Sequence, residues 1–172
     1  VPVKNPIAKA ASPLDMGQID SEKMYKIVMD WNWGNSGSTE IYHDPETRKN
    51  SITYRTNMAR LMEQLVNEEK IDKAKNIINL AMKEMPVDYF GYYTMLEPFA
   101  AGYYAVGEEA KGRALLTKLI GKYQESLTFY AGLPSSSQNA IAVTIMSDIE
   151  RYRSLLLVVQ IGRASCRERV LQ

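Results

Sequence analysis

The sequence predicts an all-α protein built from antiparallel helix pairs, and three observations carry that prediction. Apolar residues recur at three-and-four spacing from Met58 to Pro86, which is the period of an amphipathic helix. The polar break Asn67-Glu68-Glu69-Lys70 interrupts that run and is short enough to turn one helix back on the next. The spacing then recurs downstream: Leu96, Phe99, Ala100 and Tyr103 repeat the separations of Met58, Leu61, Met62 and Leu65.

The 172 residues suffice for one domain with a sizeable core, and the 45% hydrophobic and 24% charged content is ordinary for a globular chain. A net charge of +1 offers no footprint for nucleic acid. The apolar run Leu155 to Val159 is too short to span a bilayer, and no signal peptide is recognisable. The chain opens on Val-Pro-Val without an initiator Met, and the expectation is an internal fragment of a longer parent.

Residues 1–19, with Pro2, Pro6 and Pro13 and no period, are expected to form a linker or surface arm. A helical domain is expected over residues 20–160. Asp20 or Ser21 caps a short helix to about Asp30, with Met24, Ile27, Val28 and Trp31 on one side. Trp31-Asn32-Trp33-Gly34-Asn35 and the polar run to Thr39 follow, where Gly34 and Gly37 suit turns with positive φ. Two readings stand for the tryptophans: a recognition surface, or rings that plug the end of the helical stack. Asp44, Pro45 and Glu46 form a helix entry. His43 is the only histidine and has no ligand partners at metal-binding spacing, so it reads as a surface or partly packed residue.

In the first pair, Met58, Leu61, Met62 and Leu65 face Ile71, Ala74, Ile77, Ile78, Ala81, Met82 and Met85, and Pro86 stops the second helix. Arg48, Lys49, Arg55 and Arg60 offer a phosphate or membrane contact. The nearby Glu63, Glu68 and Glu69 favour a solvated mixed face instead. Val87 to Gly107 starts the second pair, with Gly107 as its break, and Pro98 is expected to kink or restart its first helix. Tyr89, Phe90, Tyr92, Tyr93, Tyr103 and Tyr104 crowd this region, either stacking on a sugar or peptide or packing between repeats. Tyr92 and Tyr93 join Trp31 and Trp33 as the candidate interaction surface. The partner helix runs from Glu108 to about Gln124, with Leu115, Leu116, Leu119, Ile120 and Tyr123 inward and a frayed turn over Leu127 to Tyr130. Gly112, Leu116 and Leu119 echo Ala74, Ile78 and Ala81, and both small residues are expected at close helix contacts. After Gly132-Leu133-Pro134, Ser135 to Ser137 cap a last helix, the first of a third pair. Its expected inward stripe is Ile141, Ile145, Met146, Ile149, Tyr152, Leu156 and Val159.

No glycine-rich phosphate loop, metal-ligand cluster or nucleophile elbow is present in the sequence. No catalytic, cofactor-binding or metal residue is assigned, and no cofactor is expected.

The helix pairs resemble tetratricopeptide repeats, which implies a fragment of an α-solenoid. Met58, Leu61, Met62 and Leu65 fall where that repeat has Trp, Leu, Gly and Tyr, and Ala74, Ile78, Ala81 and Pro86 where it has Ala, Phe, Ala and Pro. Neither helix carries the usual aromatic. From Pro2 to about Tyr152 the chain also resembles the C-terminal region of a bacterial multi-pass membrane family related to protein O-mannosyltransferase-like proteins. The segments that carry this are PLDMGQID, MYKIVMDWNWGN, and IYHDPETRK followed by MARLMEQLVNEEKIDKA. The resemblance implies a non-catalytic domain on the periplasmic side of an inner-membrane glycosyltransferase. Its partners would be an acceptor protein or peptide and the parent's own membrane domain. The alternative is a free-standing tetratricopeptide-like adaptor that binds a partner peptide. Residues 161–170, IGRASCRERV, resemble a translated sequencing adapter, so residues 161–172 are set apart as a tail expected to pack on nothing specific. This tail holds the only cysteine, Cys166, and without it the net charge becomes −1.

Overall fold

The structure, a computed structural model, describes the backbone of residues 19–170 and the side chains of residues 19–160. The predicted arm lies outside the described residues apart from its last position, as do the side chains of the predicted tail. Among the described residues the fold is all-α, with eight helices and no strand. The chain divides into two compact units, Val1–Tyr92 and Tyr93–Gln172, and each has its own packing.

In the first unit, α1 (Ser21–Met29) starts at Asp20, whose carboxylate accepts from the Lys23 amide at 3.0 Å. It buries Met24 and Val28, while Ile27 is exposed and leaves the expected inward face. Helix α2 (Pro45–Asn67) begins as the sequence predicts: Asp44 accepts from the Glu46 and Thr47 amides and Pro45 occupies the first turn. Three residues separate it from α3 (Ile71–Glu84), and the two pack as a hairpin. Met58, Leu61, Met62, Leu65, Ala74, Ile77, Ile78 and Ala81 are buried between them. Ile71, in the first turn of α3, is exposed and leaves the expected inward face. Pro86 ends the pair, and the single turn α4 (Val87–Phe90) closes the unit against α2.

In the second unit, α5 (Glu97–Ala105) carries Pro98 in its first turn. The helix restarts there and does not kink, since a first-turn residue needs no intrahelical N–H. Helix α6 (Glu109–Ala131) packs on α5 and runs unbroken through Leu127 to Tyr130, where a frayed turn was expected. Leu96, Phe99, Ala100, Tyr103, Gly112, Leu115, Leu116, Leu119 and Tyr123 are buried. After α7 (Ser135–Ala140), the long α8 (Ala142–Val170) packs on α5 and α6, and its backbone stays helical past residue 161.

The inward stripe of α8 differs from the expected one. Leu155 is fully buried, while Met146 and Leu156 are 59% and 42% exposed. Asp148 sits on the inner side, accepting the Tyr130 hydroxyl at 3.0 Å and the Arg151 guanidinium at 3.3 Å. A carboxylate on the inner face hides the true register from a hydrophobic pattern.

Candidate functional site

The aromatic cleft of the first unit is assembled by one helix and one loop. Along α2, Thr47, Asn50, Ser51 and Tyr54 recur at three-and-four spacing and share a face. Opposite them, the loop after α1 carries Trp31, Asn32, Trp33 and Ser36, and Met85 and Phe90 form the apolar floor. The cleft encloses 580 Å³, within the range of about 300–1,000 Å³ usual for ligand sites.

The loop is held by short polar contacts. Asn32 accepts the Gly34 amide on its own side chain at 3.0 Å, which turns the chain between the two tryptophans. The Ser36 hydroxyl donates to the Glu84 carbonyl at 2.8 Å, and the His43 ring Nε2 meets the Ser36 carbonyl at 2.9 Å. His43 also packs on Phe90, with ring centroids 4.9 Å apart, so it braces the loop. The Tyr89 hydroxyl donates to the Ile41 carbonyl. Gly34 has the expected positive φ of 56°, but Gly37 does not. Gly37 is needed for contact instead: a Cβ there would lie 2.1 Å from the Lys83 carbonyl oxygen.

Three rings wall the cleft. Trp31 and Trp33 lie 5.5 Å apart at 64°, Trp31 and Tyr54 5.7 Å at 81°, and Trp33 and Tyr54 5.8 Å at 62°. Edge-to-face contact is favourable for the ring quadrupoles. It leaves no gap between the rings for a caged cation, and no two of them share a plane.

Beneath the cleft lies Arg55, fully buried on α2. Its guanidinium donates to the Met85, Gly91 and Tyr92 carbonyls at 3.1, 3.0 and 2.8 Å. Both readings of Arg55, the phosphate or membrane contact and the favoured solvated mixed face, are therefore overturned, because its side chain points inward and is claimed by backbone. Arg48, Lys49 and Arg60 remain on partly or fully solvated positions.

Of the candidate surface residues, the structure brings Trp31 and Trp33 together. Tyr92 is partly exposed and lies off the cleft, with its hydroxyl donating to the Pro45 carbonyl at 3.3 Å. Tyr93 belongs to the second unit and is half-buried. Sequence reasoning missed Tyr54 and Ser51. The available signal was helical spacing: Ser51 lies seven residues before Met58 and Tyr54 seven before Leu61, so both continue the inward stripe of α2 towards its N-terminus. Among the described residues no cluster of three or more His, Cys, Asp or Glu could hold a metal ion. No helix among them is long and apolar enough to cross a membrane. No protein family, curated protein or solved structure matches the chain.

Proposed function

We propose that this chain is a non-catalytic helical binding module, the periplasmic tetratricopeptide-like domain of an inner-membrane protein glycosyltransferase of the O-mannosyltransferase-like kind. Its task is to hold or orient the acceptor protein, or to brace the membrane domain that carries the chemistry. The observation that carries the binding role is the aromatic cleft of Trp31, Trp33 and Tyr54, set on a helix and a pinned loop. Aromatic side chains supply large contact area at low entropic cost, as interfaces require. The link to a glycosyltransferase rests on the resemblance carried by PLDMGQID, MYKIVMDWNWGN and IYHDPETRK.

Two measurements test this. The intact gene upstream of Val1 is expected to encode several apolar segments of about 20 residues. A start codon with only a signal peptide would replace the glycosyltransferase reading with the free-standing adaptor. In the intact parent, Tyr54→Ala is expected to lower acceptor glycosylation while membrane abundance is kept. Unchanged glycosylation would remove the cleft from the acceptor pathway.

A further inference from the structure

We infer that the cleft takes an extended, proline-containing peptide segment, a proposal that rests on the binding-module reading and gives its ligand a chemical class. Three observations point there. First, none of the described lining residues carries a formal charge, so the site suits an uncharged ligand surface and not a phosphate or a lysine.

Second, two polar atoms in the lining have no partner among the described residues. These are the Trp33 indole Nε1–H and the Ser51 hydroxyl, the latter on a residue 1% exposed. Buried polar groups are nearly always paired, so two orphans on residues that line one cleft signal a missing partner. An indole N–H can only donate and needs a ligand acceptor. Both atoms are covered by protein. Tyr54, one turn from Ser51 and in edge contact with Trp33, is 45% exposed and is the side chain placed to swing aside.

Third, the wall is ridged. Ring planes 62° to 81° apart do not form the flat platform on which a row of sugars stacks. They form a ridged wall against which separate apolar knobs seat. A polyproline helix presents such knobs every third residue, with carbonyls unpaired and few N–H groups of its own. It matches a site with orphan donors, and its preformed conformation lowers the entropic cost of docking.

The protein has two tryptophans, Trp31 and Trp33, so its indole emission reports on this cleft alone. The test titrates the full chain with acetylated, amidated decaproline, with a Gly-Ser decapeptide and maltohexaose as comparison ligands. The expected result is a saturable emission change with decaproline alone, at a Kd below about 1 mM. Tyr54→Ala should weaken it by about tenfold or more, the loss expected of a central aromatic anchor. Ser51→Ala should weaken it by about threefold without lowering the melting temperature, since no protein bond is lost. A cleft that merely packs would show the stability effects of these variants and no titration. Saturation by maltohexaose with silence from decaproline overturns the peptide class and keeps the cleft as a binding site. Silence from all three also overturns it. If Tyr54→Ala still lowers acceptor glycosylation in the parent, the binding-module reading survives that failure. If it does not, both fall.

Discussion

A guanidinium carried into an apolar core has to bring its acceptors with it, and at Arg55 they are three backbone carbonyls beyond the end of α3. Two of these belong to Gly91 and Tyr92, which have φ of 64° and 46°. A positive φ at a bulky residue such as Tyr92 is costly, and the charged hydrogen bonds hold it there. Arg55→Met is therefore expected to destabilise by about 3–5 kcal/mol, because it strands buried acceptors and releases a strained turn. Urea unfolding reads this directly, and a midpoint within error of wild type would refute the role. Gly37 makes a second residue-scale case. Its missing Cβ lets the tryptophan loop touch the Lys83 carbonyl. Gly37→Ala should cost about 1–3 kcal/mol as an overpacked contact, and should shift indole emission as the loop lifts. Loss of stability without an emission change would mean that the loop yields elsewhere.

At the scale of elements, close helix pairing depends on small residues. Ala74 is fully buried in the α2–α3 hairpin, and a Cβ added at Gly112 would lie 3.1 Å from both Tyr103 and Tyr104 on α5. Ala74→Leu is expected to destabilise by about 1–3 kcal/mol, measured by thermal or urea unfolding. No loss would mean that the hairpin can separate without penalty. Helix α1 is tied to the α2–α3 turn by a polar network rather than by a large apolar face. Glu68 takes bonds from Lys70, Ser21 and Gln64, which pull its carboxyl down to about 2 from an ordinary 4.5. Lys70 also reaches Glu22, whose carboxyl is lowered by Lys70 and Lys73. A depressed carboxylate stabilises the fold above its unfolded value, and that contribution is lost as pH falls from 4.5 towards 2. The advantage of wild type over Glu68→Gln should be below about 1 kcal/mol at neutral pH, since the site is partly solvated. It should vanish across that acid window. A difference independent of pH would rule out the carboxylate as its source.

At the scale of the molecule, catalysis requires reacting groups held in proximity within a preorganised field, and the cleft is lined by neutral side chains. The purified chain is expected to transfer no sugar from a lipid-linked donor to a peptide. Turnover in a radiolabel assay would place chemistry in this chain and sink the proposed division of labour. Much of the fold was legible because its signals are local. The Asp44 cap, the Pro45 entry, the break at Glu68 to Lys70 and the stripes on α2, α3 and α5 all follow from spacing and capping chemistry. Register on α8 was not legible, since Leu155 and Leu156 are equally apolar and only the packing of Asp148 against Tyr130 separates them.

The candidate site was half legible. Two tryptophans flanking an asparagine stand out in any sequence, but their third wall, Tyr54, is twenty-one residues beyond Trp33. Helical period places Tyr54 on a face without saying what that face meets. The sequence by itself determined the all-α class, the main breaks, the small residues at the helix contacts and the tryptophan pair, because each depends on a few neighbouring residues. Only the tertiary structure decided that Arg55 points inward, that Gly37 serves contact rather than turn geometry, and that Tyr54 and Ser51 complete the cleft. Each of these depends on which distant backbone or ring arrives opposite the residue, and periodicity along one helix carries no information about that.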